Sequence, residues 1–179
     1  MTKIVTAPSG VLRDVAKPVE ALDKRVLQIL KDMEKSLIAA KNPQGVGLAA
    51  PQIGESLRIF MIRPNPTDKI MTFINPQITS FSQKTNKPHG KHGVYEGCLS
   101  IPNHYAPVTR SFAVTVKYWQ PDVKTMTLVE KTENFSDFPA HVVQHEIDHL
   151  NGILFIDRVL EQNTKLFRVE GEEWVEVSL

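Results

Sequence analysis

Apolar positions recur at helical spacing over residues 23–41, where Val26, Leu30, Met33 and Leu37 share a face and Lys24, Lys31, Asp32 and Lys35 fall elsewhere. This predicts an amphipathic helix, which Pro43 and Gly45 bring to an end. Before it, residues 1–20 hold Pro8, Gly10 and Pro18 and read as an irregular arm. Apolar runs at Leu57–Ile62 and Met71–Ile78 predict strands, the second interrupted by Pro76. Ser82–Gly93 is polar, carries Pro88, Gly90 and Gly93, and predicts an exposed loop. Phe112–Trp119 alternates as a strand does, and Lys124–Glu130 is its expected partner across a turn at Gln120-Pro121-Asp122. A second helix is expected from Ser136 or Asp137 as cap, with Pro139 in its first turn, to about Leu150, where Gly152 ends it. Residues 165–179 alternate around Glu170-Gly171-Glu172 and predict a hairpin.

Two helices among many short strands give an α+β fold. The expected arrangement is short, mostly antiparallel sheets around the second helix, with an N-terminal amphipathic helix and a strand-like C-terminal tail. The length of 179 residues fits a single domain spanning 1–179.

With 41% hydrophobic residues the chain can build a real core, and a net charge of +1 gives no field directed at nucleic acid or an anionic membrane. No dense run of Lys and Arg points to a nucleic-acid patch, and no apolar run approaches the ~20 residues of a membrane span. A soluble protein with neither partner is expected. The lone Cys98 excludes an intrachain disulfide and fits a reducing compartment.

The second helix contains His145-Glu146-Ile147-Asp148-His149. Four residues turn a helix by about 400°, so the two imidazoles stack on one face and can reach one metal ion. Glu146, rotated by about 100°, stands beside that ion. There it can take a proton from metal-bound water and later give one to a leaving amine. A helix can also carry two surface histidines without purpose, so the third ligand matters. No His follows His149. Glu161, Glu170, Glu172, Glu173 and Glu176 are candidate carboxylate ligands, but Asn151-Gly152 ends the helix before any of them. Cys98, in Glu96-Gly97-Cys98-Leu99-Ser100, is the better candidate, although a lone Cys is more often a buried core residue. Asp148 has two readings, as a partner of a ligand or of Arg158 and as a solvated surface charge. Gly45-Val46-Gly47-Leu48-Ala49-Ala50-Pro51-Gln52 is a constrained segment without phosphate-loop features, ending in an amide donor suited to an oxyanion.

Together, Gly45–Gln52, Glu96–Ser100 and Gln144–His149 resemble the three signature segments of the peptide deformylase family, and residues 8–19 resemble its N-terminal arm. The resemblance implies hydrolytic removal of the formyl group, as formate, from the N-terminal formyl-methionine of new polypeptides. It implies Cys98, His145 and His149 as ligands of one divalent metal, Fe(II) in the cell, with Zn, Ni or Co able to replace it. Glu146 would be general base, and the Gln52 amide and the Leu99 N–H would be oxyanion donors. Gly47, Glu96 and Gly97 fall at motif positions near the substrate, and Val46, Val94, Leu99, Phe138 and Val142 would line the methionine pocket. The nascent chain is the implied partner, in a bacterial cytosol, or in a plastid or mitochondrion if a transit peptide has been removed. The ribosome enters too, because many bacterial members end in a basic helix that docks there. The tail here is hairpin-like and acidic, which argues against docking through it. Tyr105 and His104 also depart from the family pattern and are expected to alter contacts to the peptide. A peptidase of the H-E-x-x-H type and a catalytically silent binding protein are the rival readings.

Overall fold

A computed structural model describes residues 2–41, 44–86 and 95–178. Helix α1 spans Lys24–Ala39. Asp23 caps it by accepting from the Val26 N–H at 2.8 Å, a contact of about 1 kcal/mol. Its apolar face, Val26, Ile29, Leu30, Met33 and Leu37, is buried.

Five strands form one sheet in the order β1 (Gly47–Ala49), β2 (Ile59–Ile62), β3 (Met71–Phe81), β8 (Ala113–Asp122), β9 (Thr127–Ser136). All neighbours in it are antiparallel. β2 is buried along its whole length, because each face meets a different core. Leu48, Ile59, Met61 and Ile74 pack with α1. Phe60, Ile62, Phe73, Val116 and Tyr118 pack with helix α2, Asp137–Leu150. A second sheet runs β11 (Glu173–Val177), β10 (Leu166–Glu170), β6 (Ile101–Ala106), β5 (Glu96–Cys98). It packs on helix α3, Phe155–Glu161, through Phe155, Val159, Cys98 and Leu166. The short strands β4 (Thr85–Asn86) and β7 (Arg110–Ser111) pair with each other. The mixed α+β architecture with antiparallel sheets is as expected; α3 is a third helix that the hydrophobic pattern did not predict.

Two expectations are corrected, and one is qualified. Pro76 does not interrupt β3, because the register shifts between Ile74 and Gln77 and absorbs it. The turn between β8 and β9 lies at residues 123–126, and Pro121 and Asp122 pair within the ladder. Pairing with β3 ends at Trp119, so Pro121, with no N–H to give, faces no neighbour on that side. Ser136 occupies the cap of α2, but its side chain makes no capping hydrogen bond. Of the expected loop, Thr85 and Asn86 are in β4, while residues 87–93 lie outside the described residues. The tail is the expected hairpin, with Glu170 opposite Glu173.

Backbone hydrogen bonds fasten the N-terminal arm to distant segments. Val5 donates to the Gln52 carbonyl, Ala7 to that of Ser100 and Ala16 to that of Leu150. No helix among the described residues is long and apolar enough to cross a membrane.

Candidate metal centre

Every residue of α2 from Ala140 to Leu150 is buried, although six of the eleven are His, Glu, Asp or Gln, at 141, 144, 145, 146, 148 and 149. Buried polar side chains are costly unless partnered, so each needs an account.

His145 and His149 stand one turn apart with ring centroids 4.8 Å apart. Donor atoms of Cys98, His145 and His149 all lie within 4.8 Å of one another. The Cys98 sulfur is 3.2 Å from His149 Nε2. Strand β5 brings it there, since its pairing with β6 shifts register between Gly97 and Cys98. His145 Nδ1 lies 2.7 Å from Glu96 Oε1. A carboxylate only accepts, so Nδ1 carries the proton and Nε2 is left for a cation.

Glu96 is the centre of a buried ion-pair chain. Arg110 grips it with Nε and Nη2, each at 2.7 Å. The third guanidinium nitrogen, Nη1, donates to Asp148 Oδ2 at 2.9 Å. Asp148 also accepts from Arg158, at 3.0 Å from Nε and 2.6 Å from Nη2. The reading of Asp148 as a solvated charge is therefore replaced by a buried one paired with two arginines. His141 Nε2 comes within 2.7 Å of Glu96 Oε2, without the alignment of a hydrogen bond.

These contacts set the electrostatics. Burial opposes ionisation of Glu96, but Arg110 and the histidines outweigh it and hold the carboxyl well below its usual range. Burial likewise opposes charge on His145, and Glu96 and the Cys98 sulfur reverse it, so the ring's surroundings favour a positive charge, whether a proton or a cation on Nε2. Burial, helped by His145, keeps His149 well below the usual range and so neutral. A neutral His, a sulfur and a His facing an anionic network favour a divalent cation between them.

Glu146 points into the same space. Its Oε2 is buried with no hydrogen-bond partner among the described residues. Burial pushes its carboxyl up to about 7; nearby Glu96 adds to this, while His145 and Arg110 oppose it. The backbone of Gly47 runs against this carboxylate. Gln52 closes the opposite side. Its Oε1 accepts from the Ala49 N–H at 2.8 Å, which turns Nε2 toward Cys98 Sγ (3.5 Å) and Ser100 Oγ (3.2 Å).

A cavity of about 170 Å³ opens on these groups. Of the expected substrate residues, Val46, Gly47, Glu96, Gly97, Leu99, Phe138 and Val142 line it, as do Gln52, Cys98, His145 and Glu146. The expectation for Val94 lies outside the described residues. His141, Tyr95 and Tyr105 line the cavity as well, and His141 and Arg110 were not singled out from sequence. For His141 a signal existed, since it precedes His145 by four residues and so shares its face.

A model of the polypeptide deformylase family matches residues 1–165. A peptide deformylase of Pseudothermotoga lettingae is 42% identical over 157 residues, covering 88% of this chain and 82% of that one. One from Chlorobium phaeovibrioides is 37% identical over 175 residues, covering 95% and 84%. A crystal structure of a class I type b peptide deformylase from Acinetobacter baumannii superposes with a TM-score of 0.75 at 32% identity, covering 88% of this chain and 98% of that one.

Proposed function

The chain belongs to the polypeptide deformylase family, and on that premise we propose that it hydrolyses the N-formyl group of formyl-methionyl polypeptides to formate and a free amino terminus. The observation that carries this reading is the clustering of the Cys98, His145 and His149 donors, together with the unpartnered carboxylate of Glu146, at a cavity that Cys98, His145 and Glu146 line.

In this reading Cys98, His145 and His149 hold one divalent ion, Fe(II), with Zn, Ni and Co also suited to the donor set. When bound, such an ion supplies Lewis-acid chemistry, acidifying water and polarising a carbonyl. Glu146 accepts a proton from the attacking water and delivers one to the departing amine, so the C–N bond of the formamide breaks as a C–O bond forms. Negative charge on the formyl oxygen meets the Gln52 Nε2 and the Leu99 N–H, where one donor is worth about 3 kcal/mol of barrier. Val46, Leu99, Phe138 and Val142 offer the apolar surface for the methionine side chain. A formyl carbon carries only hydrogen, so close walls admit it and reject larger acyl groups. Glu96, held by Arg110, fixes the His145 ring. The whole chain acts as a single catalytic domain, and its acidic tail argues against ribosome docking through that segment.

The test is formate release from an N-formyl-Met tripeptide by protein loaded anaerobically with Fe(II), beside a Glu146→Ala variant loaded in the same way. Rapid release by the wild type and near-silence from a variant that retains its metal support the reading. Cleavage of unformylated peptides in place of formate release would favour a peptidase.

A further inference from the structure

The wall of the cavity opposite α2 is aromatic, and its outer layer comes from the C-terminal hairpin. Tyr95 and Tyr105 both line the cavity. Tyr105 lies on Gly97, where a Cβ would stand only 2.6 Å from its Cε1 atom. Trp174 of β11 packs behind both tyrosines, with ring centroids 5.1 Å from Tyr95 and 5.2 Å from Tyr105. Phe167 of β10 completes the group, 5.9 Å from Tyr95 and 6.1 Å from Trp174. The register explains the contact: β10 pairs with β6 through Phe167 opposite Tyr105, and β11 adds beyond β10. The family match ends at residue 165, before this hairpin begins.

Trp174 is 49% exposed. Its position links the solvent edge of the cavity to Gly97, the residue between Glu96 and Cys98. In an extended peptide successive side chains point to opposite faces. If the methionine side chain enters the Val46, Phe138 and Val142 side, the following side chain faces the other wall, which is that of Tyr95 and Tyr105.

We propose that Trp174 is a positioning residue that, by holding Tyr105 against Gly97 and Tyr95 at the cavity edge, builds an aromatic subsite for the residue following formyl-methionine and favours an apolar ring there. The proposal rests on the deformylase reading and extends it to the second residue of the substrate. Trp174 does not itself line the cavity; it acts through the two tyrosines, whose faces and edges a substrate ring would meet in offset or edge-to-face contact.

The experiment compares kcat and KM for N-formyl-Met-Phe-Ser and N-formyl-Met-Ala-Ser with wild type, Trp174→Ala and Trp174→Phe, each loaded with the same metal. The wild type is expected to favour the phenylalanine peptide. Trp174→Ala should cut that preference about two- to tenfold, the range of aromatic pair contacts, and should do so through KM. Trp174→Phe should restore it. A wild type that releases formate without preference overturns the subsite, as does a Trp174→Ala variant that keeps the preference or loses activity equally on both peptides. No formate from either peptide with the wild type would instead sink the deformylase reading itself.

Discussion

A methyl group added to Gly47 would stand 2.2 Å from Oε1 of Glu146. The absence of a side chain at 47 is therefore what lets strand β1 and the carboxylate share the space beside Cys98, His145 and His149. Gly47→Ala must push Glu146 aside or move β1. Displacement of a reacting group by ~1 Å can cost about 100-fold in rate, and a loss of that order in kcat is expected, with metal content unchanged. A variant that keeps the wild-type kcat would show that the carboxylate acts from some other position.

Arg110 spans Glu96 and Asp148 with three hydrogen bonds in a buried setting. Arg110→Met would leave both carboxylates without that cation. Breaking a buried pair from one side typically costs ~3–5 kcal/mol, which urea denaturation would read directly. Because Glu96 orients His145, metal affinity should also fall about 10–100-fold in a chelator competition. Unchanged affinity beside lowered stability would confine Arg110 to holding the fold.

Cys98 places a sulfur 3.2 Å from His149 Nε2. Loaded with Co(II), the wild type should show a sulfur-to-metal charge-transfer absorption that Cys98→Ser abolishes. Loaded with Fe(II), it should lose activity in air as the sulfur oxidises, which mass spectrometry would locate at residue 98. Full activity of the Fe(II) form after long aerobic incubation would contradict this.

Tyr118 is buried against Phe73, and its hydroxyl is raised from 10.0 to about 12, first by burial and then by Glu133. The folded state holds this proton more tightly than the unfolded chain. Stability from this group is therefore complete below pH 10 and is lost as pH rises toward and through about 12. Denaturation midpoints across that window should fall for the wild type and fall less steeply for Tyr118→Phe. Equal slopes would assign the alkaline loss to other groups.

Much of this was legible in the sequence, for reasons that particular residues make plain. Helix α1 declared itself because Val26, Leu30, Met33 and Leu37 recur at helical spacing, and its observed bounds lie within two residues of the expected ones. The His145, Glu146 and His149 grouping was readable because a helix fixes the relation of residues four apart. Helix α3 was not, since its seven residues span too few turns for a periodic pattern to emerge. The β8–β9 turn was misplaced because Pro121 and Asp122 have the composition of a turn, while the end of β3 at that side of the sheet, a tertiary fact, makes a ladder proline tolerable. Arg110 escaped notice for a similar reason. It sits fourteen residues beyond Glu96, and only the pairing of strands and the approach of α2 bring it between Glu96 and Asp148.

The arm that donates to Gln52, Ser100 and Leu150 makes the order of chain closure matter. Residues 5–16 find their partners only through chain closures that reach as far as Leu150, and such distant closures lose entropy before contacts repay it. Helix α1 and the early strands can form while the arm still lacks these partners. The arm is then fastened in three stages, beside Gln52, beside Ser100 and last beside the helix that carries both histidines. The arm thus becomes the seal on a site whose parts lie far along the chain, and its protection from hydrogen exchange should be the last to appear during refolding.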